Sequence, residues 1–250
     1  MSSRTAVLIA LAAAMATPFI ASAGTYVESV ATNHMTPQAQ PQAMKMWAGN
    51  GRFRMEIQGG QVVQIFRDQA FYTLNAAGKS YMKLDKAALD AMTQKANAAN
   101  KDLEALLPPD QQAKRKQTAK PQVERSVKPT NRTETAAIGQ SCKVWEVFNN
   151  GTKTQELCVV EVAKLPNGKE LIATMQQVGE AFKGTAASAG MADVWRDVQT
   201  MNGFPVITRM YLNGKLFQEV KTTSIKPADT PDSMFAIPAG FKEQKMGEIG

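Results

Sequence analysis

Cysteine and histidine are nearly absent from this sequence. Two cysteines, Cys142 and Cys158, cannot build a disulfide-knit scaffold or a four-cysteine zinc site. A single histidine, His34, excludes any two-histidine centre within one chain. Long hydrophobic runs are scarce as well. The run from Ala6 to Ile20 is interrupted by Pro18 and falls short of the roughly 18–20 residues that span a bilayer. No repeat with a period of roughly 20–50 residues is visible, which excludes a solenoid or propeller.

What is present is ample for one sizeable core, since 44% of the 250 residues are hydrophobic and 20% are charged. Arg4, the short apolar stretch and Ala21-Ser22-Ala23 form a bacterial-type export leader, residues 1–23, cut before Gly24. Gly24 stands where a lipoprotein needs cysteine. The expectation is a periplasmic protein that is soluble and not lipid-anchored, with residues 24–250 forming one domain.

The chain carries 29 basic and 22 acidic residues, and loss of Arg4 with the leader leaves a net charge of +6. Seven bases lie between Lys114 and Arg132 (Lys114, Arg115, Lys116, Lys120, Arg125, Lys128 and Arg132) against one acid, Glu124. The whole excess charge is therefore local. Such a tract is either a solvated loop or a contact strip for an anionic membrane surface or an acidic partner. Nucleic acid is not expected, because the tract has no aromatic residue to stack on bases and the leader removes the protein from it.

From Gly24 to Leu84 the sequence reads as strands and tight turns. Residues 52–57 (Arg-Phe-Arg-Met-Glu-Ile) alternate charge with apolar bulk, the period of a half-buried strand. A three-residue loop at 59–61 sets Ile57 opposite Val63 and Met55 opposite Ile65, so that one face is apolar. A second three-residue loop at 76–78 sets Tyr72 opposite Met82. Apolar steps of three or four from Leu84 to Leu106 predict a helix with a narrow, alanine-rich stripe, stopped by Pro108-Pro109. A basic, mobile segment at about 108–122 is expected after it. A further three-residue loop at 149–151 places Cys142 opposite Cys158, which predicts a disulfide. Leu171, Met175, Val178 and Phe182 share a helical face, and Met191, Val194, Trp195 and Val198 form a shorter one. Asn213-Gly214 marks a two-residue hairpin between strands 204–212 and 215–225.

Catalytic patterns fail on inspection. Residues 186–190 (Ala-Ala-Ser-Ala-Gly) loosely match a nucleophile elbow, yet no strand precedes them and the one histidine is far away in sequence. Gly78-Lys79-Ser80 lacks the upstream glycine of a phosphate loop. Not an enzyme, and no cofactor, is the expectation. Methionines 35, 44 and 46 near His34 offer thioethers of the kind that suit Cu(I), although Met44 and Met46 also alternate like the apolar face of a strand; no metal site is assigned from the sequence.

Three stretches resemble an uncharacterised family of exported bacterial proteins carrying a domain of unknown function. They are residues 52–57 with Ile65-Phe66-Arg67-Asp68 and Lys79-Ser80-Tyr81; residues 127–130 and 139–147 (Val-Lys-Pro-Thr and Gly-Gln-Ser-Cys-Lys-Val-Trp-Glu-Val); and residues 234–242, Met-Phe-Ala-Ile-Pro-Ala-Gly-Phe-Lys. That family is similar to the periplasmic lipoprotein carriers of the LolA/LolB type. The resemblance implies an α+β fold, mostly antiparallel: an unclosed β-barrel, or half-barrel, with helical inserts covering its apolar face and a cavity for acyl chains. The expected ligand is a lipid or an acylated protein. The candidate lining is Phe53, Met55, Ile57, Val63, Ile65, Tyr72, Leu74 and Met82, residues that either line a cavity or fill a core. The alternative is a non-catalytic structural or regulatory envelope protein with a packed core, whose contact surface is the basic group Lys114, Arg115, Lys116 and Lys120.

Overall fold

A computed structural model describes residues 23–36, 38–108, 111, 124–181 and 197–244. Residues 1–22 of the leader, the four bases Lys114, Arg115, Lys116 and Lys120, and Phe182, Met191, Val194 and Trp195 lie outside the described residues.

Strands β1 (Ala23–Asn33), β2 (Gln42–Gly49), β3 (Arg52–Ile57), β4 (Val62–Arg67), β5 (Ala70–Asn75) and β6 (Ser80–Leu84) lead into helix α1 (Lys86–Ala105). Strands β7 (Arg125–Thr135), β8 (Ser141–Asn149) and β9 (Thr152–Glu161) precede helix α2 (Gly168–Ala181). Strands β10 (Gly203–Leu212), β11 (Lys215–Asp229) and the short β12 (Lys242–Glu243) complete the fold. All twelve strands form one unclosed sheet, in the order β12-β6-β5-β4-β3-β2-β1-β11-β10-β9-β8-β7. Every contact is antiparallel except that of β12 with β6. The long pairing of β1 with β11 joins the two halves. This is the expected half-barrel with helical inserts.

Asparagine–glycine pairs make the tightest turns. Asn50-Gly51, Asn150-Gly151 and Asn213-Gly214 all have positive φ at both positions, the type I′ geometry that matches the twist of the flanking strands. The turn at 150–151 therefore has two residues rather than three, and Asn149 pairs with Thr152. A register shift between Val147 and Phe148 then places Val144 opposite Cys158. Cys142 and Cys158 are nevertheless bonded, with Cα atoms 5.3 Å apart, so the disulfide is diagonal rather than directly across the strands.

The first two hairpins also correct the expected register. Gln58, Gly59 and Gly60 all take positive φ, and the β3–β4 loop spans four residues, 58–61. Ile57 faces Val62 and Met55 faces Gln64. The β5–β6 loop likewise runs from 76 to 79, which sets Thr73, not Tyr72, opposite Met82. One extra loop residue turns every side chain of the return strand to the other face. The eight candidate lining residues consequently divide between two faces.

The inner face, which carries the helices, holds Phe53, Met55, Ile57 and Met82. Here Leu171, Met175 and Val178 of α2 pack on Val27, Ala48, Phe53 and Phe66. Helical residues 197–201 add Val198 and Met201 over Val147, Leu157 and Val159. The outer face holds Val63, Ile65, Tyr72 and Leu74, all buried beneath Phe235 of the C-terminal segment. Phe235 is itself fully buried.

Helix α1 departs from expectation. Asp85 caps it by accepting a hydrogen bond from the Ala88 amide at 2.9 Å, and Leu89 joins the inner core. Beyond that first turn the stripe does not lie over the sheet: Met92, Leu103, Leu106, Ala96 and Ala99 are exposed. The sheet offers nothing opposite this length of helix, so α2, not α1, covers the inner face.

Candidate functional site: the inner face of the half-barrel

Three hydrogen bonds fix α2 over the sheet. The Asn167 side-chain amide donates to the Gly24 carbonyl at 2.9 Å, at the start of the helix. The Asn50 amide of the β2–β3 turn donates to Glu170 Oε1 at 2.6 Å. Thr25 Oγ1 donates to the Pro166 carbonyl at 3.3 Å. So held, α2 buries the row formed by Ala48, Phe53 and Phe66 and leaves the neighbouring rows less covered.

Those neighbouring rows follow from the register. One runs through Met46, Met55, Gln64, Thr73 and Met82. The next runs through Met44, Ile57 and Val62. All of these residues are half-buried. On β1 to β6 the inner face carries no charged side chain at all. The outer face of the same strands carries Glu28, Lys45, Arg52, Arg54, Glu56, Arg67 and Lys83. The sheet thus sorts its charges to one side and presents an uncharged, methionine-rich strip on the other.

The half of the expected lining that turns outward meets a different environment. Val63, Ile65, Tyr72 and Leu74 form a filled core with Phe235, flanked by Tyr81, Met234, Ile237 and Phe241. Arg52 ties the covering segment down, donating to Asp232 at 2.6 Å while its guanidinium lies 4.9 Å from the centre of the Phe235 ring. Clefts open at other places. One of about 340 Å³ lies between α1 and the C-terminal strand at Lys83, Met92 and Glu243. Another, of about 490 Å³, lies beside Trp47 and Pro231 on the outer face. A third, of about 580 Å³, lies at the β2–β3 turn beside Gln177 and Glu180. None of the eight candidate lining residues borders these clefts.

The basic tract is not uniformly solvated. Arg125 pairs with the buried Asp197, and Arg132 binds Glu156 at 2.6 Å. Arg132 thereby joins a charged cluster on the outer face that sequence reasoning missed. Arg209 on β10 donates to Glu134 and Glu156, each at 2.8 Å, and to Glu219 at 2.9 Å. The Glu134 hydrogen bond, more than any other contact, raises the affinity of Arg209 for its proton. The hydrogen bond from Arg209 holds the Glu134 carboxyl below its ordinary range. Burial by itself would raise Glu156 and Glu219, but hydrogen bonds from Arg132 and Arg209 outweigh it at Glu156, and those from Lys221 and Arg209 at Glu219, so both are lowered. Every member is committed to another, which makes the cluster a staple across strands rather than a binding site. The signal that could have found it is positional, since Arg209 sits directly opposite Glu156 and Glu219 on its two neighbouring strands.

Among the described residues no helix is long and apolar enough to cross a membrane. Residues 105–241 match the family described as "Domain of unknown function (DUF4412)". No curated protein matches the sequence. An uncharacterised conserved protein from Thermus thermophilus is similar in structure, with a TM-score of 0.46 and 8% identity over 90% of this chain and 91% of that one. A chain of the Pseudomonas aeruginosa MucA/MucB complex is similar at a TM-score of 0.41 and 11% identity, over 88% of this chain and 56% of that one. Likenesses at this level carry no argument about function.

Proposed function

The chain belongs to the DUF4412 family, a domain of unknown function, and from the chemistry of its inner face we propose that it is an exported, non-catalytic binding protein for the acyl chain of a lipid or lipidated protein. The observation that carries this reading is the uncharged strip of Met44, Met46, Met55, Ile57, Val62 and Met82, half-buried beside α2 while the charges of the same strands face outward. Each acyl CH₂ that leaves water gains about 0.8 kcal/mol. A stretch of about eight methylenes therefore offers roughly 6 kcal/mol before the cost of ordering it. Methionine suits such a surface because its unbranched thioether adapts to an irregular chain. The leader in the sequence and the Cys142–Cys158 bond support a periplasmic location. The resemblance to LolA/LolB-type carriers favours the same ligand class, and the basic residues 114–120 in the sequence would favour an anionic membrane as its source.

Native mass spectrometry of mature protein purified from an exporting host tests this directly. A co-purified lipid, lost on Ile57→Asp but retained on substitution of the exposed Met35, is the expected result. Protein that carries no lipid and binds no fluorescent fatty-acyl probe overturns the reading.

A further inference from the structure

Among the described residues no three histidine, cysteine, aspartate or glutamate side chains come together as a metal set. Thioethers do come together. Met46 on β2 and Met55 on β3 are direct cross-strand partners, and Met44 lies two residues along β2 on the same face. Directly paired residues have Cβ atoms about 4.5–5.5 Å apart, and residues i and i+2 of a strand are separated by about 6.6 Å. A methionine side chain has three rotatable bonds, so three sulfurs rooted at such spacings can converge above the sheet. All three residues are half-buried, within reach of a small solute but shielded from bulk water. Met46 and Met55 also pack against the cluster that contains Met175 of α2, which places a fourth thioether in the same neighbourhood.

The donor set decides the class of ion. The inner face of these strands has no carboxylate to attract a hard cation and no imidazole or thiolate to hold zinc. Neutral sulfur donors select soft, polarisable monovalent ions. We propose that Met44, Met46 and Met55 form a thioether site for Cu(I) or Ag(I) on the inner face of the half-barrel. His34 is no part of it: its backbone amide donates to the Phe217 carbonyl at 2.8 Å in the exposed segment that follows β1, where Met35 is also exposed. The site shares its location with the proposed acyl-binding strip but rests on different chemistry and stands without it.

Titration of the mature, delipidated protein with Ag(I) in chloride-free buffer tests the assignment. Native mass spectrometry counts the bound ions, and the methionine ε-methyl resonances report which sulfurs respond. Wild-type protein should take up one silver ion per chain, with the Met44, Met46 and Met55 methyl signals moving together. The double variant Met46→Leu/Met55→Leu should lose that uptake. Leucine conserves volume and apolar character, so the variant should keep its fold, read as an unchanged far-ultraviolet circular dichroism spectrum. Wild-type protein that takes up no silver, or a double variant that binds it as tightly as wild type, overturns the site. Silver uptake by the wild-type protein that is lost in the variant, together with absence of acyl-probe binding by the wild-type protein, overturns the proposed function and leaves the metal site standing.

Discussion

Met55 and Ile65 sit on adjacent strands yet face opposite sides of the sheet, because Arg54, not Met55, is the residue that pairs with Ile65. The consequences for stability and for binding should separate cleanly. Ile65 is fully buried beneath Phe235, so Ile65→Ala should cost about 2–5 kcal/mol, the range for large-to-small changes in a packed core. Met55 is half-buried on the inner face, and Met55→Ala should cost nearer about 1 kcal/mol. Urea denaturation measures both. Equal losses would mean that the inner strip is as tightly packed as the outer core, and would remove the basis for ligand binding there.

The C-terminal segment is a structural element in its own right. Phe235 fills the outer core, Arg54 donates to the Met234 carbonyl at 3.1 Å, and Lys242 pairs with Ser80 at the sheet edge. Phe235→Ala should destabilise the protein by about 3–5 kcal/mol. It should also speed amide exchange in β4, β5 and β6 more than in β8 and β9. Uniform acceleration across the sheet would show that the segment does not act locally.

Most of the fold was legible in the sequence, and the reasons for the rest are specific. Alternation in β3 and the Asn213-Gly214 turn announce strands and a hairpin because period and turn chemistry are local properties. Loop length is not fully so. Gln58 and Lys79 adopt positive φ without being glycine or asparagine, and this lengthened two loops by one residue and turned Val63, Ile65, Tyr72 and Leu74 outward. The Cys142–Cys158 pair survives the wrong register because the shorter turn and the shift beside Val147 each move the pairing by one residue in the same direction, and a total of two keeps both cysteines on one face as diagonal neighbours. The stripe of α1 shows its period in the sequence but not its exposure. Its neighbours are decided by where the sheet ends, which no residue of the helix specifies. In the sequence, Met44 and Met46 show only as thioethers near His34 and Met35. Their union with Met55 required the β2–β3 register.

The disulfide should matter thermodynamically rather than architecturally. Cys142 and Cys158 are buried among Val144, Val160 and Val206, so the double variant Cys142→Ala/Cys158→Ala retains an apolar cluster. It loses the restriction on the unfolded chain between two positions 16 residues apart. A loss of about 2–4 kcal/mol is expected, with the far-ultraviolet circular dichroism unchanged. Thiol titration of the unreduced, unfolded wild-type protein should find no free thiol. Two thiols per chain would contradict the bond.

The outer-face cluster predicts an acid limb in the stability profile. Glu134, Glu156 and Glu219 are all held below their ordinary range in the native state. An unfolded glutamate titrates near about 4.3. Between that value and the lower native one, the unfolded chain binds protons that the native protein does not, so stability rises with pH. The contribution is complete above the unfolded value and is lost as pH falls through the native ones. Urea midpoints should therefore drop between roughly pH 5 and pH 3. Arg209→Met removes part of this dependence. Without the guanidinium, the burial that raises Glu156 and Glu219 keeps only the opposition of Arg132 and Lys221. That variant should be weaker than wild type at neutral pH by about 3 kcal/mol, the lower end for a buried ion pair broken from one side. Its urea midpoint should then fall less than that of wild type between roughly pH 5 and pH 3, because Arg132 and Lys221 still favour the charged carboxylates. A wild-type midpoint that does not move between roughly pH 5 and pH 3 would show that the cluster contributes nothing through its charge.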